Sequence, residues 1–332
     1  MVERLKIVYA IRNRGDWVEG RQKALDEIMR FLQQAVFGAG GQMQKHDIKK
    51  IAKGAFWIHR PQFAIIAFLT AIAGISLAGT FDLILMLEVG LLFWFLHAIA
   101  HPINDYIDRE SDKIGRPDAP ISRKMLTLKQ VKIIIGLDYI IAVILILIIP
   151  LNLPAKIFAT IFLINACIFS APPVHATARG IWASIILSTA FATAFIGGWA
   201  AAAGWRYEPV LIPLSLLIGS LNMTAKNVVD ILDVSSDKKS GRITLPMQIG
   251  VKKTFYIAAF FGLFTIFLFF LAYFVGSMNF FYLIAGVIGS IVVLMGIFEF
   301  QKDYGKVKGR KYYGIFSLPM LIFPIAIILG SI

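Results

Sequence analysis

Residues 133–153 read IIIGLDYIIAVILILIIPLNL, an apolar run that contains a single charged residue. About 20 apolar residues are enough for an α-helix to cross a bilayer, and residues 255–275 form a second run of this kind. Over all 332 residues, 58% are hydrophobic and 16% are charged, with a mean hydropathy of +0.74, whereas soluble domains have about 25% charged residues. This composition excludes a soluble globular protein and predicts an all-α, polytopic membrane protein.

Apolar stretches of membrane-spanning length recur from residue 62 to the end of the sequence. Nine are predicted, at residues 62–79, 82–103, 131–150, 155–171, 181–203, 208–225, 254–275, 279–299 and 313–331. Of the 33 Lys and Arg residues, only Lys156 and Arg206 fall in the loops on one side. Because cytoplasmic loops carry the excess of basic residues, the N-terminus is expected inside and the C-terminus outside. The net charge of +13 is thus explained by topology, and no nucleic-acid partner is expected.

A basic segment, residues 1–54, precedes the predicted nine-helix membrane domain at 55–332. Leu25, Ile28 and Leu32 recur in it at helical spacing opposite a charged face, which predicts an amphipathic helix. Such a helix can lie on the cytoplasmic leaflet, where basic side chains meet anionic head groups. Packing against the protein's own loops is the alternative.

The segment after the second predicted span carries a row of polar and acidic side chains. Residues 101–112 read HPINDYIDRESD and continue an apolar helix. At 100° per residue, Asn104, Asp105, Asp108 and Asp112 fall on one side of that helix. Like charges crowded on one helix face repel one another, so this first row calls for a compensating cation.

The segment after the sixth predicted span has the same design. Residues 226–237 read KNVVDILDVSSD, and Lys226, Asp230, Asp233 and Asp237 share one stripe of a helix. Solvated charges at a helix end are the simpler explanation for one such row. Two rows of the same design on the predicted cytoplasmic side favour a shared function.

Magnesium suits two facing carboxylate rows. Mg²⁺ prefers oxygen ligands and usually binds through one or two carboxylates plus substrate phosphates. Arg116 and Arg123 follow the first row and Arg242 follows the second. These side chains can pair with phosphate oxygens, or they can serve only as positive-inside residues. The pattern therefore predicts a Mg²⁺-dependent diphosphate site.

From about residue 60 to its C-terminus, the chain resembles the UbiA superfamily of intramembrane prenyltransferases. The resemblance rests on the nine predicted spans, the motifs N-D-x-x-D-x-x-x-D and D-x-x-D-x-x-x-D, and the pairs Arg60-Pro61 and Arg116-Pro117. It implies a helical bundle around a cytoplasmic-side cavity, in a multi-pass protein of the cell membrane. It also implies Mg²⁺ as cofactor, a prenyl diphosphate as donor and a lipophilic acceptor.

The resemblance and the charge pattern together assign roles to individual residues. The expected catalytic residues are Asp105, Asp108, Asp112, Asp230, Asp233 and Asp237. The expected metal ligands are Asn104, Asp108, Asp112, Asp230, Asp233 and Asp237. The expected diphosphate-binding residues are Asn104, Arg60, Arg116, Arg123, Lys226 and Arg242.

The prolines after the fourth span mark a departure from the family pattern. Many members have Tyr-Ser-Pro-Pro or Tyr-Ser-Ala-Pro-Pro there, whereas this chain has Phe169-Ser170-Ala171-Pro172-Pro173. Phe169 and Ser170 are expected to line the prenyl and acceptor cavity, where an aromatic face can stabilise a carbocation.

His97 and His101 lie one helical turn apart, a spacing that can ligate metal. The preferred interpretation is that both are polar residues of the helix interior with hydrogen-bond partners.

The acceptor is the least determined part of the prediction. An isoprenoid glycerol phosphate, such as geranylgeranylglyceryl phosphate, and an aromatic quinone precursor are the two candidates.

A secondary transporter is the alternative class of protein, since transporters also place charges within the membrane. Carboxylates at helix ends with basic partners suit a diphosphate better than an ion path. A lipid phosphotransferase of the CDP-alcohol type is disfavoured because its D-G-x-x-A-R element is absent from both loops.

Overall fold

The computed structural model describes residues 45–240, 242–276, 278–303 and 311–332, and every regular element in these ranges is helical. The amphipathic helix expected around Leu25 to Leu32 lies outside them. The helices are α1 (Lys45–Ile58), α2 (Pro61–Leu77), α3 (Leu83–Ala98), α4 (Ala100–Ile107), α5 (Arg109–Gly115), α6 (Leu128–Ile148), α7 (Leu153–Ser170), α8 (Ile181–Ala203), α9 (Leu211–Ser240), α10 (Leu245–Ile249), α11 (Val251–Gly276), α12 (Phe280–Asp303), α13 (Lys311–Ser317) and α14 (Pro319–Gly330).

The all-helical membrane fold is confirmed, but the number of nine spans is not. Within the described ranges, seven helical segments are long and apolar enough to cross a bilayer: Leu83–Ile107, Leu128–Ile148, Leu153–Ser170, Ile181–Ala203, Val251–Gly276, Phe280–Lys302 and Tyr312–Gly330. An eighth is present if the bent pair of α1 and α2, with 41° between its two parts, is taken as one span. The protein is therefore a multi-pass membrane protein.

The sixth predicted span, residues 208–225, falls in the first half of α9. Ser220, Asn222 and Thr224 interrupt its apolar sequence and Lys226 follows directly after it, so the mean hydropathy is lower and α9 is not among the seven segments. The first three are buried, because α9 packs between α8 and α11. A helix shielded by its neighbours does not need the uniformly apolar surface that contact with lipid requires.

Side chains at the helix starts satisfy backbone groups that the helices leave free. Thr127 and Gln130 form a reciprocal capping box at the start of α6. Asn152 accepts a hydrogen bond from the Ala155 amide, 3.0 Å away, at the start of α7. These caps fix the ends of two helices whose outer faces are apolar.

Helix α8 lies at the centre of the bundle and packs against α2, α7 and α9. Its contact with α2 brings the two backbones together, because a Cβ atom at Gly74 would overlap the Phe195 carbonyl and one at Gly198 would overlap the Ala71 carbonyl. Small residues allow this close approach in membrane bundles. The last helix, α14, packs against both α12 and α2, so the two ends of the membrane domain meet.

The turn between α1 and α2 is tied to α6. His59 Nε2 lies 2.9 Å from Asp138 Oδ2, and His59 Nδ1 lies 2.6 Å from the Ala55 carbonyl oxygen. The next residue, Arg60, has a left-handed backbone (φ 48°) and precedes Pro61, the first residue of α2. This turn directs the Arg60 side chain towards the first row.

Candidate active site

The first row lies where helix α4 passes into α5. The predicted continuous helix is interrupted at Asp108, but helical hydrogen bonds persist from Asp108 N to Asn104 O and from Asp112 N to Asp108 O, both 2.9 Å. Asn104 Nδ2 donates to Asp108 Oδ2 at 2.9 Å. The row therefore stays together across the interruption.

Two arginines hold the buried Asp105, which is 1% exposed. Arg60 Nη2 and Arg116 Nη1 both donate to Asp105 Oδ1, the second at 2.8 Å. Arg116 Nη1 also donates to Asp112 Oδ2 at 3.1 Å. Burial and the nearby Asp105 carboxylate raise the pKa of Asp112 to about 7, the shift expected where acids crowd without full compensation.

The second row lies on the last turns of α9. Lys226 Nζ donates to Asp230 Oδ1, and the lysine side chain is only 10% exposed. Tyr313, from α13, donates its hydroxyl to Asp233 Oδ1 at 2.5 Å. Asp237 is buried at the end of the row. A lysine and a tyrosine thus fix two of the three carboxylates.

Arg242 joins the two rows. Its Nη1 lies 3.5 Å from Asp108 Oδ2 in the first row and 3.7 Å from Asp237 Oδ1 in the second. Helix α5 packs against α9, and a Cβ atom at Gly115 would lie 3.3 Å from Ser236 Cβ. The two motifs, more than 100 residues apart in the sequence, form one cluster of carboxylates and guanidinium groups.

One predicted residue lies outside this cluster. Arg123 donates to Asp118 instead, and the side chains of this pair are 59% and 70% exposed. Arg123 follows a turn after α5 that carries it away from the aspartates, so its expected contact with the diphosphate finds no support in this geometry. The other predicted cations, Arg60, Arg116, Lys226 and Arg242, each lie within ion-pair distance of a motif aspartate.

Two residues at the cluster escaped the sequence-based prediction. His175 Nε2 lies 3.6 Å from Asp108 Oδ1. The residue has a left-handed backbone (φ 43°) and lies two positions after the proline pair. Tyr313 reaches Asp233 from the last span. Neither belongs to a recognisable motif, and the histidine's position after Pro172-Pro173 was the only signal in the sequence.

A cavity of about 120 Å³ borders the first row. Its lining residues are Arg60, His97, Ala100, His101, Asn104, Phe162, Asn165, Ala166, Phe169, Ile186, Leu187 and Ala190. Phe169 lines this cavity, and its role towards a prenyl group or acceptor stays a prediction. Ser170 is fully buried and is not among these lining residues. Its hydroxyl oxygen accepts a hydrogen bond from Asn104 Nδ2 at 3.1 Å and so orients the Asn104 side chain.

The expectation for the two histidines on α3 and α4 needs correction. His97 and His101 pack edge to face, with ring centroids 5.1 Å apart, and both rings line the cavity. His97 Nδ1 and His101 Nε2 are buried and lack hydrogen-bond partners among the described residues. They are polar interior residues as predicted, but these two nitrogens do not have the partners that were expected.

The donor set of the cluster fits Mg²⁺. In the described part of the chain, no group of three or more His, Cys, Asp or Glu residues is placed to enclose an ion. Asp230 Oδ2, in the second row, is buried and has no hydrogen-bond partner there. Carboxylate oxygens are the ligands that Mg²⁺ prefers, together with phosphate oxygens and water.

The sequence pattern of the UbiA prenyltransferase family matches residues 65–321. The digeranylgeranylglyceryl phosphate synthase of Pyrococcus furiosus is 31% identical over 221 residues, which cover 64% of this chain and 75% of that protein. The enzyme of the same name from Methanococcus maripaludis strain S2 is 24% identical over 285 residues, covering 84% and 98% of the two chains. The chain belongs to the UbiA prenyltransferase family and is a prenyltransferase.

Solved structures have the same fold. One, from work on digeranylgeranylglyceryl phosphate synthase in membranes, has a TM-score of 0.64 at 25% identity and covers 85% of this chain and 98% of its own. A UbiA homologue from Archaeoglobus fulgidus bound to GPP and Mg²⁺ has a TM-score of 0.65 at 16% identity, with coverage of 83% and 99%. The family match favours prenyl transfer over the secondary-transporter alternative.

Proposed function

We propose that the protein transfers a prenyl group from a prenyl diphosphate to a hydroxyl group of an isoprenoid glycerol phosphate, such as geranylgeranylglyceryl phosphate, with Mg²⁺. The observation that carries this proposal is the bridge of Arg242 between Asp108 and Asp237, because it brings one carboxylate of each row within ion-pair distance of the same guanidinium group. The names of the relatives from Pyrococcus furiosus and Methanococcus maripaludis support the choice of acceptor.

The carboxylates have the task of holding the metal. Asn104, Asp108 and Asp112 of the first row and Asp230, Asp233 and Asp237 of the second are the proposed ligands. Bound Mg²⁺ would neutralise negative charge on the diphosphate and so make it a better leaving group. Asp105 has a different task, since Arg60 and Arg116 both bond to its Oδ1 and are thereby held beside the metal ligands.

The cations of the cluster have the task of holding the diphosphate. A guanidinium group presents a planar fork to phosphate oxygens, and a lysine presents a point charge. Arg60, Arg116, Lys226 and Arg242 are already oriented by aspartates. Preorganised charges of this kind stabilise a developing anion without reorganisation at the moment of reaction.

The apolar walls of the cavity have the task of excluding water from the allylic cation. Phe162 and Phe169 line the cavity, and an aromatic face attracts a cation by about 0.5–2 kcal/mol. A dry environment also prevents loss of the prenyl group to hydrolysis.

We place this site on the cytoplasmic side, because the loops that carry both rows are the basic ones.

The experiment is transfer by the purified protein in lipid bilayers. Labelled geranylgeranyl diphosphate and Mg²⁺ are incubated with geranylgeranylglyceryl phosphate or with an aromatic quinone precursor, and the lipids are extracted. Labelled product with the glycerol phosphate supports the proposal. Product only with the aromatic acceptor would overturn the acceptor class, and no Mg²⁺-dependent product with either would overturn the proposed reaction.

A further inference from the structure

Helix α1 carries one stripe of side chains that the other described helices leave uncovered. At 100° per residue, this exposed stripe falls within about 120° of the helix circumference. Its members are Lys49, Lys50, Lys53, Phe56 and Trp57, and all five are exposed. Phe56 and Trp57 pack edge to face, with ring centroids 5.2 Å apart, yet they are still 55% and 46% exposed. The exposed stripe therefore combines three positive charges with two large apolar rings.

The opposite face of α1 is packed against the protein. Ile58 is fully buried in a small apolar cluster with Leu126 and Val131, and Ile51 packs against this cluster. A Cβ atom at Gly54 would lie 2.9 Å from Leu126 Cγ, so the helix backbone closely approaches the segment before α6. Because this face holds α1 in place, the exposed stripe points away from the bundle in a fixed direction.

The exposed stripe is ordered along the helix axis. Its two rings lie in the last turn of α1, whereas Lys49 lies two turns earlier, about 10 Å further from the start of α2. Phe63 and Ile65, in the first turns of α2, are exposed apolar side chains, so the rings continue a surface suited to lipid. Rings next to the bilayer with lysines further out are typical of a helix that lies in the membrane interface.

The charges of the exposed stripe call for an anionic partner. Where the structure describes side chains, no carboxylate lies within ion-pair distance of Lys49, Lys50 or Lys53. Free phosphate would satisfy these charges but leave both rings in water. A leaflet with anionic lipids accepts the charges and the rings together, and α2 already brings the end of α1 to the bilayer.

We infer that the exposed stripe binds α1 to the surface of the leaflet around the start of α2, with its lysines on the phosphates of anionic lipids and its rings among the head groups. Arg60, two residues after α1, bonds Asp105. Lipid-bound α1 therefore also fixes the turn that carries this arginine into the cluster. The interaction does not depend on which acceptor the protein prenylates.

The test measures whether α1 meets the bilayer. A fluorophore is attached at Ala52→Cys, an exposed position beside the exposed stripe, in a Cys167→Ala background. The protein is placed in nanodiscs of phosphatidylcholine, alone or mixed with phosphatidylglycerol. Quenching of the fluorophore by acrylamide, which is neutral and water-soluble, then reports how far this face of α1 is shielded from water.

Two double variants separate the exposed stripe from other basic positions. Lys49→Gln with Lys53→Gln removes two charges of the exposed stripe, and Lys252→Gln with Lys253→Gln removes two charges from the exposed start of α11. Both variants should keep the Tm of the parent in detergent, because all four side chains are exposed.

Phosphatidylglycerol should lower the quenching constant of the parent at least about twofold, since each basic residue near an anionic surface raises membrane affinity about fivefold. High salt should reverse this change, because it screens exposed charges. The Lys49→Gln, Lys53→Gln variant should lose the response to phosphatidylglycerol, and the α11 variant should keep it.

Equal quenching of the parent in both kinds of nanodisc would overturn the inference. An equal loss of response in the α11 variant would also overturn it, since the effect would then belong to basic residues in general. Protection of the same size from inorganic phosphate in phosphatidylcholine nanodiscs would show that the ligand is not a lipid. Protection that follows the number of protein copies per nanodisc, and not the lipid, would show that a second copy covers the exposed stripe; either result would refute lipid binding.

Discussion

Lys226→Met tests how the second row holds the leaving diphosphate. Lys226 lies one helical turn before Asp230, donates to its Oδ1 and is only 10% exposed. An ammonium group in so little water needs anions around it. If the diphosphate is one of them, the methionine variant loses a charged hydrogen bond worth about 1.5–3 kcal/mol, which corresponds to about 10- to 150-fold in affinity.

The assay measures the donor KM and inhibition by inorganic pyrophosphate, both with saturating Mg²⁺. Both should weaken in parallel, because pyrophosphate shares only the charged end of the donor. Lys253→Met, which removes the same charge from an exposed position, should leave both unchanged. Full affinity for both ligands together with a lower Tm would refute the reasoning, and Lys226 would then be only a structural partner of Asp230.

Three further predictions concern the metal site, the turn between α1 and α2, and the membrane orientation. Mg²⁺ affinity should weaken as the pH falls below about 7, because burial raises the pKa of Asp112 to about 7 and a bound proton competes with the ion. Titration calorimetry should find that the affinity of the Asp112→Asn variant depends less on pH. Asp138→Leu should lower stability by about 1–3 kcal/mol because it strands His59, and adding His59→Leu should restore part of the Tm. Impermeant thiol reagents should label Asp118→Cys only from the cytoplasm and Tyr207→Cys only from outside, in a background without the native cysteine; the reverse pattern would overturn the orientation.

The membrane fold could be predicted because bilayer thickness sets the length of an apolar segment. That argument reached α6, α7, α8, α11 and α12 within a few residues of their ends. It was weaker for the predicted sixth span in α9, which is not among the segments of the described residues that are apolar enough to cross a bilayer. Ser220, Asn222 and Thr224 on this helix are buried, and no hydropathy pattern records that packing. The break near Ile99 does have a signal in the sequence, because Pro102 cannot donate a hydrogen bond to the turn before it. The break at Asp108 has no proline or glycine beside it and could not be predicted.

The carboxylate rows could be predicted because each is local, and helical geometry alone puts its members on one face. Contacts between distant segments could not. Tyr313 meets Asp233 across 80 positions of sequence, and Arg242 meets Asp108 only because α5 packs on α9. Arg123 shows the converse, since a basic residue near a motif in sequence points away from it in space.

The most direct test of the central claim is prenyl transfer by proteins that lack one carboxylate from either row. Asp108→Ala and Asp233→Ala are compared with the wild-type protein, with Mg²⁺ and with chelator, in bilayers that contain geranylgeranylglyceryl phosphate. If both rows act on one diphosphate, either substitution alone should lower turnover at least ~10²-fold, about 3 kcal/mol of transition-state stabilisation, and chelation should abolish wild-type activity. Undiminished turnover in either variant would contradict the assignment of that row and, with it, the single site formed by the two.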